Sequence, residues 1–404
     1  MTLVRLFLLA LLLAAGLPPG TGAAGEVRHV VIVVVDGARC SETFGDPTLA
    51  HVPRMGLDMA PQGYRAVAWN VGATTTVPGH AAILSGAYAP LADDGSERPH
   101  LPLLFEYYRA ATGAPRSQAW FLADKPKLDV MSNSDHPDYG DSLGASVDVD
   151  CPTDSAVVAR AEAVLLAERP ALLAMDLAET DIVSHTGDWE GYLAALHRAD
   201  SLVYDLWLTI QSDTALAGRT ALFVTNDHGR HDDEHGGFVS HGCGCDGCCR
   251  VQLLALGPGF RTDVVSPLLW QPVDIAPTIG ALLGFATPLA TGRVMTDLFT
   301  PQDPLGVPPG DAAPELRLGP PAPCPAGGAV RIPLDVPQAG RLLVEVLDAQ
   351  GRRVATLLDA GVPAGRRDIA WSGRASGGRR AAPGAYIVRA RLGDLEAAAR
   401  VVLR

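Results

Sequence analysis

The chain has 404 residues, of which 48% are hydrophobic and 19% are charged. This composition excludes bulk disorder and leaves room for two domains. The formal net charge of −13 at pH 7 repels nucleic-acid backbones, so we expect no binding of nucleic-acid duplexes. A bound pair of divalent cations would reverse this charge locally, and a small anionic substrate therefore stays compatible with the chain.

The first 24 residues have the pattern of a signal peptide. Arg5 supplies a positive charge, the apolar run 6–15 follows, and small residues lead up to Ala24. The apolar run is too short for a membrane span, which needs about 20 residues. The pattern predicts export to a secreted, periplasmic or cell-surface location, with an N-terminal membrane anchor as the alternative. We expect no stable membrane span elsewhere.

Residues 25–305 are predicted to form one α/β domain with a mostly parallel sheet flanked by helices. The β-branched run 30–35 is typical of a strand that is buried on both faces. Helical periodicity covers 191–210, and 274–283 is a second predicted helix. The further apolar, strand-like runs are 171–175, 221–224 and 251–255. This alternation predicts βαβ units with functional groups at the carboxyl ends of the strands.

The composition changes after the α/β region. Residues 306–325 are rich in Pro, Gly, Ala and Asp, and are predicted to be a linker. Residues 326–404 then predict a small all-β sandwich, because short strand-like runs alternate with turns. These runs are 329–334, 341–346, 353–358, 367–371, 385–392 and 397–403.

Carboxylate and imidazole side chains follow three of the predicted strands. Asp36 follows the first, Asp181 and His185 come after the second, and Asp227 and His228 directly follow the third. Carboxylate oxygens and imidazole nitrogens are ligands that zinc prefers, usually four to a site. The sequence therefore predicts two divalent metal ions, with zinc as the expected metal.

One ligand is less clearly defined than the others. Asp181 and His185 are four residues apart, so one helical turn would bring them to the same ion. Their third partner lies among His231, His235 and His241. We favour His241.

Thr76 has the setting of a nucleophile. It lies two residues before Pro78, which is favoured in the first turn of a helix. A hydroxyl there would sit at a helix N-terminus, where N–H groups and the helix dipole favour a phosphoryl group. Two metal ions about 4 Å apart would activate such a nucleophile and neutralise a phosphate ester. We predict that Thr76 also ligates the ion that Asp36, Asp227 and His228 hold. The neighbours Thr74 and Thr75 are alternatives.

Six motifs occur in a fixed order over residues 28–300. They are Asp36-Gly37, Thr76-Val77-Pro78-Gly79-His80 with Leu84-Ser85-Gly86, Asp181 to His185, Asp227-His228-Gly229, Ser240-His241-Gly242 and Leu256-Gly257-Pro258-Gly259. The ordered set resembles the alkaline phosphatase superfamily, and more closely its branch of type I phosphodiesterases and nucleotide pyrophosphatases.

The resemblance implies an alkaline-phosphatase-like fold and a reaction in two steps. Thr76 would attack phosphorus, and the resulting phosphothreonine would then be hydrolysed. The resulting hypothesis is an exported two-metal phosphoesterase that cleaves phosphodiester or pyrophosphate bonds in a small-molecule phosphate ester.

The chain departs from this branch at one expected position. Many members place an Asn about twenty residues after the nucleophile, but no Asn occurs between Asn70 and Asn133. Lys125 and Lys127 instead resemble a Lys-x-Arg element of threonine-dependent phosphomonoesterases in the same superfamily. The two lysines are thus candidate catalytic residues, and a phosphomonoesterase is the alternative function.

Two other functions are disfavoured. Sulfatases carry a Cys or Ser and an Arg where this chain has Thr76 and His80, and we expect His80 to have a structural role. A non-catalytic surface-binding protein would not need the complete ligand set.

The C-terminal region resembles the FlgD-like immunoglobulin fold. The resemblance is carried by Val344-Glu345-Val346-Leu347-Asp348, Gly351 to Leu357, Ile369 to Arg374 and Ala382-Pro383-Gly384-Ala385-Tyr386. It implies a role in engaging export machinery or the cell surface, rather than in catalysis.

The chain has seven cysteines, and four of them lie between residues 243 and 249. Cys243, Cys245, Cys248 and Cys249 form either disulfides, which export favours, or a metal site of thiolates. Either arrangement would pin the loop that carries His241.

Overall fold

The computed structural model describes residues 27–300, 316–319, 322–323, 330–348, 352–376, 378–382, 384–393 and 395–403. The predicted signal peptide, 1–24, and most of the predicted linker lie outside these residues. Within the described ranges, no helix combines the length and the apolar character that crossing a bilayer requires.

Eight strands form the sheet of the first domain. Their bounds are β1 His29–Val35, β2 Tyr64–Trp69, β3 Ala119–Leu122, β4 Ser146–Asp148, β5 Leu172–Leu177, β6 Thr220–Thr225, β7 Arg250–Leu256 and β8 Val264–Trp270. Their order across the sheet is β4-β3-β5-β1-β6-β7-β2-β8. In this order, the five strands β4, β3, β5, β1 and β6 are parallel to one another. Strand β7 is antiparallel to both of its neighbours, β6 and β2. The sheet is therefore mostly parallel, as predicted.

Helices cover both faces of this sheet. Their bounds are α1 Thr76–Ser85, α2 Leu104–Thr112, α3 Asp154–Glu168, α4 Glu179–Ser184, α5 Trp189–Ser212, α6 Asp246–Cys249 and α7 Ile275–Leu283. Alternate residues of β1 point to opposite faces, because side chains alternate along a strand. Val30, Ile32 and Val34 pack with α1, α2 and α7, whereas Val31 and Val33 pack with α3 and α5. This double burial explains the β-branched run.

The direction of β7 differs from what its sequence suggested. The run 251–255 looked like the parallel strands, yet it pairs antiparallel with β6 and β2. Its apolar composition reflects burial on both faces, and burial does not specify strand direction.

The C-terminal region is all β. Its strands are β9 Arg317–Leu318, β10 Ala322–Pro323, β11 Val330–Val336, β12 Gly340–Leu347, β13 Arg353–Val362, β14 Gly365–Trp371, β15 Gly384–Leu392 and β16 Leu395–Leu403. They form two sheets, β10-β11-β14 with β9 beside β11, and β13-β12-β15-β16. The six predicted runs correspond to β11–β16. In addition, β9 and β10 lie within the stretch that was predicted to be linker.

The two domains contact each other near the end of β2. The guanidinium of Arg331 lies 4.3 Å from the ring centroid of Trp69. Arg293 pairs with Asp335 at 3.0 Å between Nη1 and Oδ2. The C-terminal domain thus packs beside the segment that leads from β2 to Thr76.

Candidate active site

Two adjacent parallel strands bring three of the predicted ligands together. Asp36 follows β1, and Asp227 and His228 follow its neighbour β6 shortly after the strand ends. The backbone N–H of Gly37 donates to Oδ1 of Asp227 at 3.1 Å, which ties the two strand ends together. The side chains of all three predicted ligands are fully buried.

Three polar atoms at this point lack hydrogen bonds. Within the described part of the chain, Oδ1 of Asp36, Oδ2 of Asp227 and Nε2 of His228 are buried and have no hydrogen-bond partner. Nε2 of His228 lies 3.5 Å from the Asp36 oxygen and 3.3 Å from the Asp227 oxygen. Ligands of one tetrahedral zinc ion lie about 3.3 Å apart, given metal–ligand distances of about 2.0–2.1 Å. These residues therefore fit a divalent cation.

The imidazole of His228 is prepared for such a role. Its Nδ1 lies 2.8 Å from the carbonyl oxygen of Gly229, so that Nδ1 carries the proton and Nε2 keeps its lone pair. Burial lowers the pKa of His228, which favours the neutral form that binds metals.

The pKa values of the two carboxyls of this cluster are shifted in opposite directions. Burial and then the negative charge of Asp227 raise the pKa of Asp36 well above its usual value. Burial would also raise the pKa of Asp227, but His228 and His80 outweigh it and hold this pKa below its usual value. The pair therefore carries two negative charges readily only when a cation is near.

The second predicted ligand set also converges. Asp181 lies in α4, and His185 directly follows this helix. Oδ1 of Asp181 lies 3.3 Å from Nε2 of His185 and 3.5 Å from Nε2 of His241, and the two Nε2 atoms are 3.1 Å apart. These separations match the edges of a tetrahedral site. His241 also stacks on His228, with ring centroids 4.0 Å apart, so the two sets adjoin.

Two cationic side chains hold Asp181. Nζ of Lys125 donates to Oδ2 of Asp181 at 2.7 Å and also contacts Oδ2 of Asp36. Nη1 of Arg230 donates to Oδ1 of Asp181 at 2.5 Å. Lys125 thus lies between the two ligand sets. The first ligand set fits a cation without rearrangement. The spacing of the second set also fits a cation, but a bound ion would share Asp181 with Lys125 and Arg230.

Helix α1 places Thr76 against this cluster. Thr76 is the first residue of α1 and is buried. A Cβ atom on Gly79, one turn later, would lie 2.8 Å from the Asp227 carbonyl oxygen and 2.9 Å from its Cβ. Only glycine allows the first turn to approach Asp227 this closely. The structure therefore brings the predicted nucleophile beside the predicted metal ligands.

His80 has the contacts of a structural residue. Its Nδ1 lies 2.9 Å from the Thr76 carbonyl oxygen and 3.5 Å from Oδ2 of Asp227, and its Nε2 lies 3.2 Å from Oδ1 of Asp176. It connects the first turn of α1 to β5 and β6.

Lys127 is linked to the start of α1 through Asp93. Its Nζ donates to Oδ2 of Asp93 at 3.1 Å, and Oδ1 of Asp93 accepts the N–H of Val77 at 2.8 Å. The helix N–H next to Thr76 is thus satisfied by Asp93. Lys127 supports the start of α1 rather than entering the ligand cluster.

The competing histidines lie elsewhere. Nδ1 of His235 lies 2.5 Å from Oδ1 of Asp232 on the surface. His231 lies beside Cys243 and Cys248. Of the three candidates, only His241 is placed with Asp181 and His185 among the described contacts, although its role as a ligand stays a prediction.

Sequence reasoning missed two buried residues near the site. Arg230 is completely buried, and it directly follows the motif Asp227-His228-Gly229, so its position was available as a signal. Asp176 was visible only as the polar residue in an apolar strand. Arg230 contacts Asp181, and Asp176 contacts His80. Both pairings depend on the fold and not on local sequence.

Comparison with known proteins supports the fold of both domains. The FlgD Ig-like domain family matches residues 326–394. The structure of a protein of the alkaline phosphatase superfamily from Vibrio parahaemolyticus is similar, with a TM-score of 0.53 and 11% identity, over 78% of this chain and 77% of that one. The first domain thus has the fold of this superfamily, and the predicted fold of each domain is confirmed.

One similar structure has a bound nucleotide. It is murine ectonucleotide pyrophosphatase/phosphodiesterase 5, an inactive threonine-to-alanine variant in complex with AMP. Its TM-score is 0.52 at 15% identity, over 68% of this chain and all of that one.

The curated relatives match only a short stretch. The sulfatase ppz1 of Metarhizium majus is 29% identical over 92 residues, which is 23% of this chain and 22% of that protein. The chain matches about a fifth of the length of the curated relatives found.

Proposed function

We propose that this chain is an exported two-metal phosphoesterase that hydrolyses phosphodiester or pyrophosphate bonds of a small-molecule phosphate ester. The observation that carries this proposal is a set of three buried atoms of Asp36, Asp227 and His228 beside the first turn of α1, which have no hydrogen-bond partner among the described residues. Such atoms cost free energy unless a cation binds them. Export is proposed from the predicted signal peptide and the FlgD-like domain.

Thr76 is the proposed nucleophile. It opens α1, and Gly79 holds this turn against Asp227. When bound, the metal ions would supply positive charge for the hydroxyl and for the phosphate oxygens. The chain itself orients Thr76 through α1 and His80, and it keeps the ligand carboxylates in place through Gly37 and Lys125. A phosphothreonine on Thr76 would divide the hydrolysis into two easier steps.

A diester or pyrophosphate substrate is supported by the likeness to the murine protein with bound AMP. The contacts of the two lysines add to this support. Lys125 is held by Asp36 and Asp181, and Lys127 by Asp93, so in this structure neither ammonium is presented as a free phosphate-binding group. The alternative, a phosphomonoesterase, would require Lys125 to turn from these carboxylates towards a terminal phosphate.

The test compares three substrates with zinc-loaded protein. Bis-p-nitrophenyl phosphate, p-nitrophenyl phosphate and p-nitrophenyl sulfate report diesterase, monoesterase and sulfatase activity. We expect the diester to be hydrolysed fastest. A higher kcat/KM for the monoester, with a selective loss in Lys125→Ala, would favour the phosphomonoesterase, and preferred sulfate cleavage would overturn the proposal. If zinc-loaded protein hydrolysed none of the three substrates, this result would also contradict the proposal and favour a non-catalytic surface-binding protein.

A further inference from the structure

The loop after His228 contains a second group of metal-binding side chains. A ring nitrogen of His231, Sγ of Cys243 and Sγ of Cys248 all lie within 4.8 Å of one another. Nε2 of His231 is buried and has no hydrogen-bond partner among the described residues. The three side chains belong to neither ligand set of the candidate active site.

Cys245 is adjacent to this group. The backbone N–H of Cys245 donates to Sγ of Cys243 at 3.3 Å. Helix α6, Asp246–Cys249, begins directly after Cys245, and the N–H of Cys249 donates to the Cys245 carbonyl oxygen at 3.0 Å. One imidazole and two thiols therefore surround one point, and Cys245 lies directly beside it.

The distance between the sulphur atoms distinguishes a metal site from a disulfide. Sγ of Cys243 and Sγ of Cys248 are 3.7 Å apart. A disulfide bond is about 2.05 Å long. Two sulphurs that bind one tetrahedral zinc ion at about 2.3 Å lie roughly 3.8 Å apart. The observed distance matches the metal geometry.

We propose that His231, Cys243 and Cys248 bind a structural zinc ion and that the neighbouring thiol of Cys245 is the fourth ligand. Three thiolates and one imidazole form a closed set of the kind that structural zinc sites use, and soft thiolates select zinc over magnesium or calcium. This third ion would be separate from the two ions of the candidate active site, and the proposal does not depend on the hydrolase function.

The neighbouring polar groups leave this set intact. Asp232 and His235 lie close to Cys245, but they pair with each other at 2.5 Å. Cys249, the remaining thiol of the motif, belongs neither to the group of His231, Cys243 and Cys248 nor to the group of Asp232, His235 and Cys245.

Such a site would hold the loop that carries His241. Oγ1 of Thr74 donates to the Cys243 carbonyl oxygen at 2.9 Å, and Nδ1 of His241 lies 3.0 Å from the Thr74 carbonyl oxygen. Two backbone bonds of 2.9 Å, Gly229 to Cys248 and His231 to Ser240, join the two ends of the loop. The ion would therefore position a candidate active-site ligand without touching the substrate.

The first test is the metal content of the full-length protein, measured by inductively coupled plasma mass spectrometry. The variant Cys243→Ser/Cys248→Ser should bind one zinc equivalent less than the wild type. The control Cys151→Ser, whose thiol lies outside this group, should keep the full content. An unchanged metal content in the double variant, or a Cys243–Cys248 disulfide found by mass spectrometry of the native protein, would overturn the proposal.

A second test uses the wild-type chain and decides the question even if the double variant fails to fold. Replacement of zinc by cadmium should produce the ultraviolet charge-transfer band of cadmium bound to thiolates, because the active-site ligands contain no sulphur. The band should persist in His228→Ala, which alters only the candidate active site. Cadmium-loaded wild type without this band would contradict the proposed site.

Discussion

Nε2 of His228 lies 3.3 Å from Oδ2 of Asp227, and within the described chain neither atom has a hydrogen-bond partner. Folding normally satisfies buried polar atoms. Here these two atoms and Oδ1 of Asp36 face one another, at separations like those between two ligands of the same metal ion. The protein tolerates this cost if a cation completes the arrangement.

The first prediction follows from this arrangement. His228→Ala removes one of the four predicted protein ligands of this ion and should lower the zinc content by about one equivalent per chain, with a lower melting temperature in the presence of zinc. Metal analysis and thermal unfolding measure both effects. The control Asp205→Asn removes an exposed carboxylate of α5 and should change neither the zinc content nor the melting temperature. Full zinc content in His228→Ala would show that this group is not a ligand.

The second prediction concerns the contact between α1 and Asp227. A methyl group in Gly79→Ala would lie 2.8 Å from the Asp227 carbonyl oxygen, so the helix must move away from the site. We expect a loss of about 1–3 kcal/mol in unfolding free energy, typical of overpacking, together with a lower kcat.

A matched substitution provides the control. Gly361→Ala in β13 places its methyl group where no atom of the described residues lies within 4 Å, and it should leave stability and kcat nearly unchanged. Equal behaviour of the two variants would contradict the proposed close approach.

The third prediction concerns Lys125, which lies between Asp36 and Asp181. Lys125→Met leaves Asp36 without its cation and Asp181 with Arg230 alone, and it should destabilise metal-free protein by about 3 kcal/mol or more. Zinc should reduce this loss, since bound ions neutralise the same carboxylates. Urea unfolding with and without a chelator measures the difference. Lys127→Met, whose partner Asp93 is partly exposed, should have a small effect in both conditions.

The fourth prediction concerns pH. Burial and then the charge of Asp124 raise the pKa of Asp154 to about 9. In the unfolded chain this carboxyl ionises near pH 4, so between pH 4 and 9 the folded state binds the additional proton. Stability should therefore fall as pH rises through this window, by up to about 1.4 kcal/mol per pH unit.

The variant Asp154→Asn isolates this effect. An amide keeps the oxygen that accepts the Glu179 N–H at 3.1 Å and cannot ionise. Urea denaturation at pH 6 and pH 8 should show a weaker loss of stability in the variant than in the wild type. Parallel losses in the two proteins would contradict the assignment.

The sequence predicted the strand ends of the site well, because β1, β5 and β6 are continuous apolar runs followed by polar ligands. The first-turn position of Thr76 was equally visible from Pro78. The strands β2, β3, β4 and β8 were not predicted, and β3 and β4 are so short that they give little periodicity. The pairing of Lys125 and Arg230 with Asp181 could not be predicted, because it joins residues more than 45 positions apart. Local patterns contain no information about such contacts.

The most direct test of the central claim is the comparison of Thr76→Ala with Thr75→Ala in zinc-loaded protein, with bis-p-nitrophenyl phosphate as substrate. Thr75 is the residue before α1, and its side chain makes no capping hydrogen bond. We predict that Thr76→Ala lowers kcat by a factor on the order of 10³ or more, as removal of a nucleophile does, while zinc-loaded Thr75→Ala stays close to the wild type. Comparable activity of Thr76→Ala and wild type would contradict the assignment of Thr76 as the nucleophile.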